Sequence, residues 1–246
     1  MPRVADHDAR HGQITDAVQR LVVRDGLTAV TVARTAAEAG VSVGLVQHYF
    51  TAKDEMLLAT FTRVNGRFTA RVDEVVNRGE AEGRTIAEML RQALAQLMPL
   101  DGDRRAEFLV RLAFAGQAAH NADLAAVRRE TLVGIRSRVA QAIRNGTVCG
   151  EVAQGVDAAD QALHIVAFAE GLALHMHIDP DGTPKPAMLA ALDNQIGRVF
   201  TGTCRRGELG RRSAPEFGEV HPIAGVRGEG PPGTYDGACS PGAACE

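Results

Sequence analysis

Residues 31 to 53, Thr-Val-Ala-Arg-Thr-Ala-Ala-Glu-Ala-Gly-Val-Ser-Val-Gly-Leu-Val-Gln-His-Tyr-Phe-Thr-Ala-Lys, constrain this chain more than any other stretch. They read as two short helices joined by a glycine turn, a helix-turn-helix. The Thr31 hydroxyl can cap the first helix, which runs through Ala39 with Val32, Ala36 and Ala37 facing inward. Gly40 ends it, because glycine adopts the left-handed backbone conformation that lets two helices meet steeply. Ser42 caps the second helix, about Val43 to Phe50. Leu45, Val46 and one of Tyr49 or Phe50 anchor that helix, while Val43, Gly44, Gln47 and His48 point away. Lys53 then stands at the start of a further helix, with Asp54 and Glu55 near its positive end.

The stretch resembles the TetR family of bacterial one-component transcription regulators. The likeness rests on the Thr31 entry, Ala36 and Ala37, the Ala39-Gly40-Val41-Ser42 turn, Gly44, and Tyr49-Phe50-Thr51-Ala52-Lys53. Upstream, Ile14, Ala17, Leu21 and Gly26-Leu27 fall where that family places its first helix and the step into the unit. The likeness covers about residues 10 to 60. Many relatives carry tyrosine where this chain has Gln47 and histidine where it has Tyr49. The variant Val-Gln-His-Tyr-Phe is similar to the branch of choline-responsive BetI-like repressors, but five residues do not carry the identity of a ligand.

With 246 residues and 45% hydrophobic content, the chain has room for a small domain and a larger one. No run of about 18 apolar residues is present and the first residues lack a signal-peptide core, so the expected location is the cytoplasm. The net charge of −3 supplies no basic footprint, and residues 1 to 56 carry six basic against seven acidic groups. Helix N-termini, hydroxyls and a few cations can supply phosphate contacts instead, and a dimer doubles them. The four cysteines, Cys149, Cys204, Cys239 and Cys245, show no C-x-x-C pair and no zinc-ligand spacing, and read as reduced thiols.

After Lys53 the pattern stays helical to about residue 200, without a period-two strand. Met56, Leu57, Phe61, Val64, Phe68 and Val72 mark one long helix from about Asp54 to Asn77, with Gly79 and Gly83 as punctuation. Further helices are expected at about 85–97, 104–120, 122–144, 158–178 and 186–200, with breaks at Pro99 to Gly102, Asn145-Gly146 and Asp179 to Gly182. The fold class is all-α, with about nine helices. The expected domains are a DNA-binding head over 1–53, a helical ligand-binding and dimerisation bundle over 54–200, and a disordered tail over 201–246. That tail carries ten glycines and five prolines in 46 residues, together with the pairs Arg205-Arg206 and Arg211-Arg212.

If the unit docks as such motifs do, the second helix enters the major groove of double-stranded DNA. Gln47 and His48 are the candidates for base edges, since a glutamine amide can pair with adenine N6 and N7. Val43 can pack on a thymine methyl, and Gly44 permits close approach. Thr31, Ser42, Tyr49 and Lys53 suit phosphates. Each has a plainer alternative: the hydroxyls as caps only, Tyr49 as packing, Gln47 and His48 as solvated groups.

Residues 80 to 200 hold no Gly-x-Ser-x-Gly, phosphate-cradling glycine loop or His-Glu-x-x-His, so no catalytic residue, cofactor or metal ligand is assigned. In the run from His164 to His177, His175 and His177 do not share a helix face, and core or interface histidines are the reading preferred over a metal site. The resemblance implies that the last two long helices pair with their copies in a homodimer, with Gly171 and flanking alanines permitting close approach. A small-molecule effector would contact the helices between, with Phe108, Leu112, Phe114, Gln117, His120, Ile143, His164 and Phe168 as candidate wall residues. The absence of tryptophan and the eight phenylalanines supply an aromatic cage for choline poorly. The function implied is a repressor that occupies a palindromic operator as a homodimer and leaves it when the effector binds. A helical metal-binding or enzymatic bundle would need Glu-x-x-His spacing, and an adaptor that binds protein would show no salt-dependent DNA binding.

Overall fold

Six helices begin at a side chain that caps them, and two of these caps, Thr31 and Ser42, are the ones expected from the sequence. The computed structural model describes residues 2–204. The Arg205-Arg206 and Arg211-Arg212 pairs, Cys239, Cys245 and most of the expected tail lie outside the described residues. The elements are α1 (Pro2–Asp25), a 3-10 turn (Leu27–Ala29), α2 (Val32–Ala39), α3 (Val43–Tyr49), α4 (Lys53–Ala81), α5 (Ile86–Ala95), α6 (Gly102–Ala118), α7 (Ala122–Cys149), α8 (Ala158–Ile178) and α9 (Lys185–Gly197). Among the described residues these are nine α-helices and no strand. Thr31, Ser42, Thr85, Asp101, Asn121 and Asp157 each accept a hydrogen bond from a backbone N–H in the first turn of the helix they precede. Thr85 and Glu88 complete a reciprocal capping box. Each such cap stabilises its helix by about 1 kcal/mol.

Three groups of buried side chains hold these helices. Ile14, Val18, Leu21, Val46, Phe50, Met56 and Val64 join α1, α3 and the first half of α4, and Val110 of α6 reaches into the same group. Phe68, Leu94, Phe108, Ile143, Ile165 and Leu192 form the larger core of the C-terminal helices. Between them Leu57, Phe61, Phe114 and Leu124 make a third group, in which the Phe61 and Phe114 rings stack at 3.8 Å. Helix α4 therefore belongs to all three.

Several expectations are corrected. Asn145-Gly146 does not break the chain: α7 continues to Cys149 and stops at Gly150, whose φ is 96°. A Cβ on Gly146 would lie 2.7 Å from Val152 and 2.9 Å from Phe200, so this glycine serves the approach of other segments to a continuous helix. Gly79 likewise lies inside α4, where a Cβ would meet Met89, and only Gly83, with φ 67°, takes the left-handed conformation. Ala37 is exposed while Thr35, Ala36 and Ala39 are buried. The turn at Leu27–Ala29 carried no periodic signal, being three residues long.

Candidate nucleic-acid interface

The glycine turn sets the angle of the reading unit. Gly40 sits at φ 67° and ψ 35°, its N–H donates to the Ala37 carbonyl, and Val41 N–H donates back to Ala36. The pattern ends α2 and satisfies carbonyls that the helix terminus would leave open. Helix α3 then attaches through fully buried Val46 and, at its end, buried Phe50. Val43, Gly44, Gln47 and His48 are all exposed on the opposite face. Val43 leaves 45% of its surface in water, an unusual place for a β-branched apolar side chain unless something else covers it. A Cβ at Gly44 would meet nothing within 4 Å, so nothing within the chain requires glycine there.

The groups suited to phosphate are placed as follows. Thr31 Oγ1 accepts from Arg34 N–H at 3.2 Å and Ser42 Oγ accepts from Leu45 N–H at 3.1 Å. Both caps use an oxygen lone pair and leave the hydroxyl proton to donate outward. Lys53 is half-buried, and its Nζ donates to the Leu27 carbonyl at 2.7 Å, fastening the start of α4 to the 3-10 turn. An ammonium has three N–H donors, so this bond fixes the charge without exhausting it. Glu55 accepts from the hydroxyl and the backbone N–H of Thr51, and these two bonds hold its carboxyl below its ordinary range.

Charge on the unit is largely paired internally. Arg20 and Arg24 both reach Glu38, and Arg24 and Arg34 both reach Asp25. Hydrogen bonds from Arg20 and Arg24 hold the Glu38 carboxyl low. A feature absent from the sequence reading is the set of rings around Tyr49. His7 lies 4.8 Å from Tyr49, His48 lies 5.4 Å from it, and His11 lies 5.0 Å from Phe50, centroid to centroid. His7 and His11 are four residues apart on one face of α1, which was the available signal. Gln13 adds a bond from its side-chain amide to the Ala39 carbonyl at 2.8 Å. Tyr49 thus packs against α1, which holds the end of α3 by rings and the end of α2 by the Gln13 bond.

Comparison with known proteins decides what this unit belongs to. Residues 14–60 match the family model for bacterial regulatory proteins of the tetR family, and residues 86–201 match the C-terminal model of BetI-type transcriptional repressors. A transcriptional regulator from Rhodococcus sp. Rha1, solved by crystallography, is 32% identical over 78% of this chain and 96% of its own, with a TM-score of 0.68. This chain belongs to the TetR family. The HTH-type transcriptional regulator PksA of Bacillus subtilis is 28% identical over 73% of this chain and 84% of its own length. A protein from Saccharomonospora viridis, solved in complex with choline, shares the fold at 24% identity and a TM-score of 0.65, over 77% of this chain and 96% of that one. The chain is accordingly a TetR-family transcription regulator, all-helical, with its helix-turn-helix at the N-terminal end. Among the described residues no helix is long and apolar enough to cross a membrane.

The eight expected effector contacts of this TetR regulator do not share one wall. Phe114 is fully buried against Phe61, and Ile143 is fully buried in the larger core. Phe108 is buried with its ring 5.3 Å from that of His177. Gln117 donates to Asp54 at 3.2 Å. Leu112, His120, His164 and Phe168 are exposed. The 3.6-residue period identified the apolar positions but could not say which neighbour each one meets. What the reading missed is Arg111, buried on α6 with one nitrogen donating to the Leu97 carbonyl at 2.7 Å and the other, Nη1, without a partner. Burial lowers its pKa to about 10. On α8, Leu163, His164, Phe168, Leu174, His175 and Ile178 form an exposed face, and Gly171 there would accept a Cβ with nothing within 4 Å.

Proposed function

We propose that this TetR regulator is a repressor acting in the cytoplasm as a homodimer, released from a palindromic operator by a small molecule, and that it catalyses no reaction. Residues 1–53 are the reading head and 54–200 the ligand-binding and dimerisation domain. The observation that carries the reading is the outward row Val43, Gly44, Gln47 and His48 on a helix fixed from behind by Val46 and Phe50. In the major groove Gln47 and His48 read base edges, Val43 covers a thymine methyl, and Gly44 admits the backbone. Thr31, Ser42 and Lys53 hold phosphates, and Tyr49 braces α3 beside them.

Dimerisation is supported by the exposed apolar side chains of α8 and by the small exposed residues Ala187, Ala190 and Gly197 of α9, which packs on α8. A monomer gains nothing from Ile178 at 71% exposure, whereas a second copy would cover it.

Two polar links support a route from effector to DNA. Asp54, in the first turn of α4, accepts from Gln117 of α6 and from Asn121 at the start of α7 at 2.9 Å. Buried Glu107 of α6 receives Arg67 and Arg71 of α4, and Arg67 also reaches Gln19 of α1. A shift of α6 thereby moves the helix that carries the head, provided the effector binds the two arrangements unequally. The S. viridis protein was solved with choline, a cation. For this chain we favour an effector carrying an anionic group, because Arg111 is a buried guanidinium whose nearby carboxylates are already engaged, Glu107 by Arg67 and Arg71 and Glu170 by Arg128.

The test is selection of bound duplexes from a random pool by the purified protein, followed by titration of the winner at two salt concentrations. A palindromic winner bound at least a thousandfold more tightly than random DNA is expected. Salt-independent or sequence-blind binding would return the helix-turn-helix to the role of a protein adaptor.

A further inference from the structure

We propose that Cys149, Glu151 and Cys204 form a site for a thiophilic divalent cation of the zinc class, with two thiolates and a carboxylate as ligands and water completing four-coordination. The cysteines are 55 positions apart, so no ligand spacing in the sequence could announce them. The fold brings them together: their sulfurs and a Glu151 carboxylate oxygen all lie within 4.8 Å of one another. A tetrahedral zinc ion with ligand bonds of about 2.0–2.3 Å sets its ligand atoms roughly 3.3–3.8 Å apart, so closing on the ion asks for a contraction of about 1 Å.

The surroundings are those of a built site. Cys149 is the last residue of α7, and Gly150, at φ 96°, turns the chain so that Glu151 comes back beside it. Glu151 is 2% exposed, and its two oxygens accept from the N–H groups of Ile86 at 2.9 Å and Ala87 at 3.0 Å, which open α5. Those bonds orient the carboxylate and leave a lone pair on each oxygen, which is the work of an outer shell around a metal ligand. Cys204 is held in place by the segment after α9, where Gly202 N–H donates to the Glu151 carbonyl at 2.9 Å and a Cβ at Gly202 would collide with the Gly150 carbonyl. The Cys149 sulfur already lies 3.5 Å from Glu151 Oε1. A disulfide would leave the carboxylate without a role beside the sulfurs, whereas a cation uses all three groups. On binding, each thiol gives up its proton to solvent and the three negative ligands surround the dication. The ion would join the end of α7, the start of α5 and the segment beyond α9. This inference does not depend on how the protein uses DNA.

The experiment uses the full chain, reduced and stripped with chelator, titrated with Co2+ as a spectroscopic probe. A companion chain carries Cys239→Ser and Cys245→Ser, so that only Cys149 and Cys204 remain. Thiolate-to-cobalt charge-transfer bands are expected in both chains, saturating at one equivalent in the companion. Adding Cys204→Ser to the companion should roughly halve the band, and that residue lies beyond the last helix, so folding is preserved. Zn2+ should displace the cobalt and raise the melting temperature by several degrees, reversed by chelator. Absence of the band in the companion chain overturns the site. So does a companion chain that, isolated without reductant, is two hydrogens lighter and binds no cobalt, which would make the pair a disulfide, or a band undiminished by Cys204→Ser.

Discussion

The reading head and the C-terminal helices are built from the same kind of helix, yet they yield to sequence very differently. In the N-terminal helices, structure follows from local rules: a cap at Thr31, a left-handed glycine at 40, a cap at Ser42, and a helix too short to have more than one buried face. In the C-terminal helices a given apolar residue can meet a neighbouring helix, an effector or a second copy of the chain, and helical period is the same in all three cases. Phe114 and Phe168 look alike in sequence, but one is fully buried against Phe61 and the other leaves 37% of its surface exposed on α8. Local chemistry is encoded where it acts, whereas the partner of a helix face is decided by segments far along the chain.

The largest test of that contrast is Phe114→Ala. If Phe114 is core, as its stacking and burial imply, the substitution costs about 3–5 kcal/mol of unfolding free energy. Chemical denaturation would read this directly, and a loss below about 1 kcal/mol would restore it to the wall of an effector cavity. Arg111→Met goes the opposite way. Removing a buried guanidinium that no carboxylate neutralises should leave stability unchanged or raise it by up to about 2 kcal/mol, while abolishing operator release by any anionic compound that acts on the parent. A marked loss of stability with release intact would make Arg111 a structural residue.

On the head, the contrast sharpens to two polar residues one helix apart. Gln47 is exposed and touches no core, so Gln47→Ala should leave stability within about 0.5 kcal/mol and cost about 1–3 kcal/mol of binding at particular base pairs. Lys53 has two roles, since its bond to Leu27 holds α4 to the 3-10 turn. Lys53→Ala should therefore lose about 1 kcal/mol of stability, weaken binding to all sequences, and reduce the salt slope by about one. Competition between the selected operator and random DNA separates the two outcomes, and equal losses on both for Gln47→Ala would remove it from the base-reading set.

What was legible can be traced to particular residues. The helix-turn-helix, the break at Pro99 to Gly102, and the span of α8 each rested on a local signal. The continuity of α7 through Asn145-Gly146 did not, because the reason for that glycine is Phe200 and Val152 passing close by. Gln117 is one of the expected effector-wall residues, and the structure pairs it with Asp54, 63 residues earlier. The Cys149, Glu151 and Cys204 cluster escaped for the same reason. Apart from the facing of Ala37, each failure concerns a contact across sequence distance, and each success a signal within a turn or two of the chain.

The smallest expected effect concerns the seam where the two kinds of information meet, at His11. It is half-buried on α1 against Phe50, and its pKa is lowered, first by burial and then by the neighbouring charges of His7 and Arg63, with Asp8 opposing. A depressed histidine binds its proton less readily in the folded state than in the unfolded chain. Folding stability therefore rises with pH through the window between the folded value and the ordinary value of about 6.5, and falls on acidification from above it. Thermal unfolding of the full chain should show a lower midpoint at about pH 5.5 than at about pH 7.5, and His11→Gln should remove part of that dependence. Because His11 packs on Phe50 and its neighbour His7 on Tyr49, protonation also loosens α1 from the end of α3, so operator affinity should fall over the same window in the parent and less in the variant. Equal acid sensitivity in both chains would assign the effect to other groups and leave the ring cluster a packing feature alone.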